Sequence, residues 1–163
     1  ELGEANEAPE KHFAQKSPVG ATEPQVATTR QDGSILVPAA AHGQTSGPRA
    51  AMKSFSGGTQ LHVGGGFKAR YEFDAPQAGT YRLTARVATL QQGQKMQFTA
   101  NGAKTPQPLS VPYTIGLWQQ TPPSEIALVG GRNVIELELL PGSRGVTIKE
   151  LLLEPANRVT KSN

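Results

Sequence analysis

Cysteine is absent from the chain, which excludes disulfides, thiolate metal sites and cysteine nucleophiles and leaves no redox mark of compartment. Aspartate is scarce: only Asp32 and Asp74 occur, and most of the eleven glutamates fall in the first 25 residues or alternate along strand-like segments. Paired-carboxylate catalysis therefore has little to work with. No apolar run approaches the roughly 20 residues of a membrane span, so none is expected. Uninterrupted helical windows are also lacking, because 18 glycines and 13 prolines are scattered through 163 residues. That excludes helical bundles and doubly wound α/β folds. His42 and His62 stand apart without an H-E-x-x-H spacing, G-x-S-x-G is absent, and Gly64-Gly65-Gly66 opens no helix pattern, so the glycines read as a turn or bulge. No catalytic residue, metal site or cofactor is expected.

What is present is small, polar and turn-forming. Hydrophobic residues make up 36% and charged residues 18%, the remainder being rich in Gly, Pro, Thr, Ser and Gln. This is the profile of a turn-rich all-β domain. The net charge of +3 raises the question of nucleic acid, which its distribution answers. Residues 1–32 carry three basic and six acidic groups, and residues 33–155 carry eleven and seven. So mild an excess, alternating with apolar residues along strands, reads as solvated faces, and no nucleic-acid partner is expected.

Three segments follow. Residues 1–32 read as an extended linker or tail packing on or preceding the domain, with Glu1, Glu4, Glu7 and Glu10 solvated and a Pro- and Thr-rich run from Ser17 to Thr29. Residues 33–155 form the compact part, and 156–163 a C-terminal tail. The chain opens on Glu1 with no leader pattern, which points to a piece of a longer protein. Lys68–Asp74 places Ala69, Tyr71 and Phe73 on one face, and Thr80–Ala88 places Tyr81, Leu83 and Val87 likewise. With Pro76–Gly79 between them they read as a hairpin. Lys95–Ala100 buries Met96 and Phe98 and ends at Asn101-Gly102, a type I′ turn signal. Glu125–Val129 and Asn133–Leu140 read as a second hairpin with Ile135, Leu137 and Leu139 inward. Along Gly145–Glu154 the apolar phase slips between Ile148 and Leu151, which suggests a bulge. Some eight short strands with frequent turns predict a two-sheet antiparallel β-sandwich.

The segment YEFDAPQAGTYRLTARV (71–87) resembles the signature of family 6 and family 35 carbohydrate-binding modules, galactose-binding-like jelly rolls. PYTIGLWQQ (112–120), ALVGGRNVIE (127–136) and GVTIKELLL (145–153) resemble three further pieces in that family's order. The resemblance implies a jelly roll, a noncatalytic role in a larger exported, extracytoplasmic protein, a glycan partner and a neighbouring domain. It places the ligand at a loop end, where a sugar's C–H face packs on an aromatic ring. Trp118 matches one ring of that site, with Tyr113, Gln119, Gln120 and Arg144 as its neighbours. The second ring is missing, since Val63-Gly64 is followed by Gly65-Gly66, and Phe55, Phe67 or Tyr113 would have to replace it. Trp118 is thus either a sugar platform or a loop anchor. The family's structural calcium lies between a first-strand Glu-Ala-Glu and a last-strand Asp. Pro38-Ala39-Ala40 and Lys149 stand there, and no such ion is expected. The alternative is a structural or protein-interaction β-sandwich accessory to a neighbouring domain, with sugar binding lost.

Overall fold

The structure is a computed structural model that describes residues 26–55 and 57–157, so the readings for Glu1 to Gln25 and for 158–163 lie outside the described residues. In chain order the strands are β1 (Thr28–Thr29), β2 (Ile35–Pro38), β3 (Thr45–Ser46), β4 (Arg49–Lys53), β5 (Thr59–Val63), β6 (Lys68–Ala75) and β7 (Gly79–Ala88). They continue with β8 (Lys95–Ala100), β9 (Gln107–Ser110), β10 (Gln119–Gln120), β11 (Ser124–Leu128), β12 (Gly131–Leu139) and β13 (Val146–Pro155). One sheet runs β1-β2-β13-β5-β4, with β7 on the other side of β13 carrying β10 and β11. The second runs β3-β6-β12-β8-β9. The chain is the all-β, two-sheet antiparallel sandwich that alternation predicts.

The period-two pattern reports the core faithfully. Tyr71, Phe73, Tyr81, Leu83, Val87, Phe98, Ile135, Leu137, Leu139 and Ile148 are all buried between the sheets. The slip in the last strand is a register shift between Ile148 and Glu150, where β13 pairs with β7. Asn101 and Gly102 take φ of 50° and 73°, the paired positive values that a type I′ turn needs.

Both hairpin readings are corrected. β6 pairs with β12 and β3, whereas β7 pairs with β13, β11 and β10, so residues 76–78 cross from one sheet to the other. Likewise β11 pairs with β7 and β12 with β6 and β8. Alternation says which face of a strand is buried. A neighbour in the same sheet and a strand across the core bury the same face, so the pattern does not separate a hairpin from a crossing. The sheet also begins ahead of the Asp32-Gly33 turn, since Thr28 and Thr29 pair with Leu36 and Ile35.

Tyr71 spans the core, and its hydroxyl donates to the Ala39 carbonyl at 2.8 Å. Burial pushes its phenol well above the ordinary value. The unfolded chain can ionise this group near pH 10 while the native chain cannot, so its contribution is complete below the ordinary phenol pKa and is lost as pH rises above it. Native stability should fall by about 1.4 kcal/mol per pH unit there from this group alone. Urea midpoints at rising alkaline pH check this, with Tyr71→Phe removing that share of the slope.

Candidate functional site

At one end of the sandwich four connections meet: 64–66 after β5, 89–94 after β7, 111–118 before β10 and 140–145 before β13. Buried polar side chains hold them together. The Thr114 hydroxyl accepts from the Thr89 backbone N–H at 2.8 Å and donates to the Thr89 carbonyl at 3.0 Å. The Thr89 hydroxyl donates to the Gly145 carbonyl at 2.8 Å. Gln94 Oε1 accepts from the backbone N–H groups of Arg144 and Gly145 at 2.7 and 3.0 Å. Each of these three side chains is buried, so the bonds they make stand in a low-dielectric setting and fix the loops relative to one another.

Two backbone features sharpen the frame. A Cβ on Gly65 would stand 2.6 Å from the Ser143 carbonyl oxygen, so the loop after β5 packs backbone against backbone on the loop before β13. Only glycine fits, which accounts for the missing ring at this place. Ile115 takes φ 54° and Gly116 φ 76° in a turn closed by the Leu117 N–H to the Thr114 carbonyl at 3.0 Å. A β-branched residue in the left-handed region is strained, and the Thr114 bonds hold it there.

Between these loops lies an open cleft of about 500 Å³ lined by Leu90, Gln91, Gln92, Gln94, Tyr113 and Arg144 together with Gly93 and Gly142. Tyr113 is 47% exposed and presents an aromatic ring to solvent. Of the sequence-derived site residues, the structure brings Tyr113 and Arg144 together here. Trp118 is half-buried in the same loop, ahead of β10, and does not line this cleft. Gln119 and Gln120 are exposed on β10, paired with Val87 and Arg86, also outside it. Of the replacements for the second ring, Phe67 is fully buried in the core, and Phe55 is wholly exposed on the β4–β5 connection, beyond the Lys53↔Thr59 end of the hairpin. The residues that sequence reasoning missed are Leu90 and the glutamines at 91, 92 and 94. Their signal was legible as the polar tract Gln91-Gln92-Gly93-Gln94 between two alternating strands.

A second concavity, about 490 Å³, lies on the outer face of the β3-β6-β12-β8-β9 sheet among Lys68, Arg70, Gln97, Thr99, Glu136 and Glu138. Its charges are matched: Lys68 lies 4.0 Å from Glu138, and Arg70 stands 3.3 and 3.9 Å from Glu72 and Glu136, with Arg132 also on Glu72.

Comparison with solved structures decides the fold. The chain is similar to the C-terminal family 6 carbohydrate-binding module of LamC, a marine laminarinase of Zobellia galactanivorans, with a TM-score of 0.65 and 19% identity over 74% of this chain and 98% of that one. It is similar also to a Clostridium stercorarium family 6 module solved with cellobiose (TM-score 0.60, 20% identity, 74% and 93% covered). A family 35 module of Cellvibrio japonicus Abf62 gives a TM-score of 0.59 at 22% identity, covering 74% and 91%. The fold is that of family 6 and family 35 carbohydrate-binding modules. No protein-family model matches the sequence, and no curated protein matches it. On this module fold, the calcium implied by the resemblance can be tested against the donors present. The Ala39 N–H donates to the Lys149 carbonyl at 2.9 Å, so the matched positions do meet in space. They do not fit the ion: Pro38 and Ala40 bring no carboxylate, the Ala39 carbonyl between them is taken by Tyr71, and Lys149 brings a cation where a hard metal needs oxygen ligands. Among the described residues no three His, Asp or Glu side chains are grouped to hold a metal.

Proposed function

We propose that this chain is a noncatalytic carbohydrate-binding module of a larger, exported, extracytoplasmic protein, and that it takes a glycan at the loop end carrying Tyr113, Trp118 and Arg144. The observation that carries the reading is the cleft itself. A half-exposed tyrosine lines it together with Gln91, Gln92 and Arg144, on loops pinned by buried Thr89, Gln94 and Thr114. A pyranose asks for this pairing of an aromatic face for its C–H groups with donors and acceptors for its hydroxyls, on a frame already ordered before binding. The cellobiose complex of the similar Clostridium module supports the class of ligand. Trp118 serves as a flanking surface, with Gln119 and Gln120 within reach of a ligand longer than one sugar. The module runs from β1 at Thr28 to the end of β13 at Pro155, with the residues ahead of β1 joining it to or packing it against a neighbour and 156–163 as its tail.

Affinity gel electrophoresis against a panel of polysaccharides tests this. At least one glycan should retard the protein, and Tyr113→Ala should weaken retention about tenfold or more with the urea midpoint nearly unchanged, as for an exposed site. Retention unaffected by both Tyr113→Ala and Trp118→Ala would refute binding at this end. A second reading, a protein-interaction sandwich, is favoured by exposed apolar side chains at Leu90, Ile115 and Leu117 and at Met52 and Phe55. It would be preferred if no polysaccharide retards the protein.

A further inference from the structure

We propose that the outer edge of β4 is a docking site for an extended segment of another polypeptide, added to the eight-stranded sheet as an antiparallel strand with acidic residues opposite Arg49 and Lys53. Register fixes which backbone groups are on offer. Gly64 donates its N–H to the Pro48 carbonyl at 3.0 Å and Ser54 donates to the Gly58 carbonyl at 2.9 Å, so Ala50 and Met52 are the residues of β4 that bond to β5. The N–H and C=O groups of Arg49, Ala51 and Lys53 therefore point away from the sheet, and among the described residues nothing bonds to them. All five residues of the strand are exposed, although Arg49 and Ala51 share a face with their buried partners Val63 and Leu61. β4 thus overhangs the second sheet. The other edges are closed: β1, β3 and β10 are two residues long, β9 carries Pro108, and β11 lies against β9, its Ser124 hydroxyl donating to the Pro108 carbonyl at 3.1 Å. Short strands, proline and a covering strand keep a sheet edge from recruiting a neighbour, and β4 has none of these.

Charge selects the occupant. The chain has no Asp or Glu between Asp32 and Glu72, so β3, β4 and β5 hold nothing to match Arg49 and Lys53. A second copy of β4 laid antiparallel would bond through the same outward residues, and every register of that pairing sets cations of the two chains opposite or diagonal to one another, where like charges repel. Acidic side chains at those two places reverse the sign. On the other face of the strand Met52, 42% exposed, is served by an apolar neighbour, while Ala50 and Ala51 leave room for close approach. The fitting segment reads acidic, apolar, two unrestricted positions, acidic. Its main-chain hydrogen bonds supply affinity and its alternate side chains specificity.

The test is fluorescence anisotropy of a labelled peptide with the core Glu-Val-Thr-Val-Glu, titrated with the intact chain. It should bind, and a Lys-Val-Thr-Val-Lys peptide should not. Glu-Val-Pro-Val-Glu, equal in charge but lacking the central N–H, should bind about tenfold more weakly or worse. On the protein side, Ala51→Pro removes an outward N–H and none of the bonds to β5. The urea midpoint should hardly move, while the glutamate peptide loses about tenfold or more in affinity. Should Ala51→Pro disturb the fold, Arg49→Glu combined with Lys53→Glu decides, since it should transfer binding from the glutamate to the lysine peptide. Glycan retention should be unchanged in both variants, so failure here is seen apart from failure of the carbohydrate-binding reading. No binding of the glutamate peptide would overturn the inference, and so would equal binding of the peptides with threonine and proline at the centre, which reduces the contact to net charge. Sedimentation showing self-association that Ala51→Pro abolishes would give the edge to a second copy and overturn the choice of partner.

Discussion

Asn133→Leu should cost about 3 kcal/mol, because the side chain is fully buried and closes four hydrogen bonds that leucine cannot make. Its Nδ2 donates to the carbonyls of Val129 and Gly131 at 2.8 and 2.9 Å, and its Oδ1 accepts from the Val129 N–H and from Asn101 Nδ2, both at 2.9 Å. Leucine restores the volume and even adds apolar area, so the transfer term favours the variant. What decides the sign is the loss of four part-buried hydrogen bonds, each with a net worth of about 0.5–1.5 kcal/mol. The bonds hold together the crossing between sheets at 129–131 and the Asn101-Gly102 turn at the end of β8. Denaturant unfolding with an unchanged slope and a midpoint shift of that size would bear this out, and a loss below about 0.5 kcal/mol would show that water replaces the lost partners.

Leu137→Ala should cost about 2–5 kcal/mol. Leu137 is 1% exposed on β12, in register with Ala69 of β6 on one side and Phe98 of β8 on the other. The central strand of the five-stranded sheet has no freedom to collapse into the space, since both flanking strands pair along it. The cavity term is therefore retained rather than relaxed. The same unfolding measurement reads it. A cost under about 0.5 kcal/mol would mean that Leu137 does not face the core.

Burial in this fold was written in the sequence, and pairing was not. The alternation in Lys68–Asp74 and Asn133–Leu140 locates Tyr71, Phe73, Ile135 and Leu137 in the core because solvent and core select opposite residues on the two faces of a strand. The bulge after Ile148 shows itself the same way, as a slip of phase. Whether β7 follows β6 within a sheet or across the core depends on which side of the turn at 76–78 the chain leaves. Residue types inside the strands hold no trace of that choice. The site was legible to a similar degree. Tyr113 and Arg144 could be named from motif order, but Thr89, Gln94 and Thr114 act through the interior, where their role depends on loops far apart in sequence. A buried polar residue looks like an ordinary loop residue until its partner across the fold is known. Asn133 illustrates the intermediate case: its motif position was visible, while its bond to Asn101 requires the three-dimensional pairing of β8 with β12.

The loop-end assignment is tested most directly by titrating the ¹⁵N-labelled chain with a glycan that it retains and following its amide resonances. The account predicts shifts concentrated at Leu90 to Gln94, Tyr113 to Trp118 and Gly142 to Gly145, with the outer face of the β3-β6-β12-β8-β9 sheet silent. Shifts centred on Lys68, Arg70, Thr99 and Glu136, with the loop end unmoved, would contradict it.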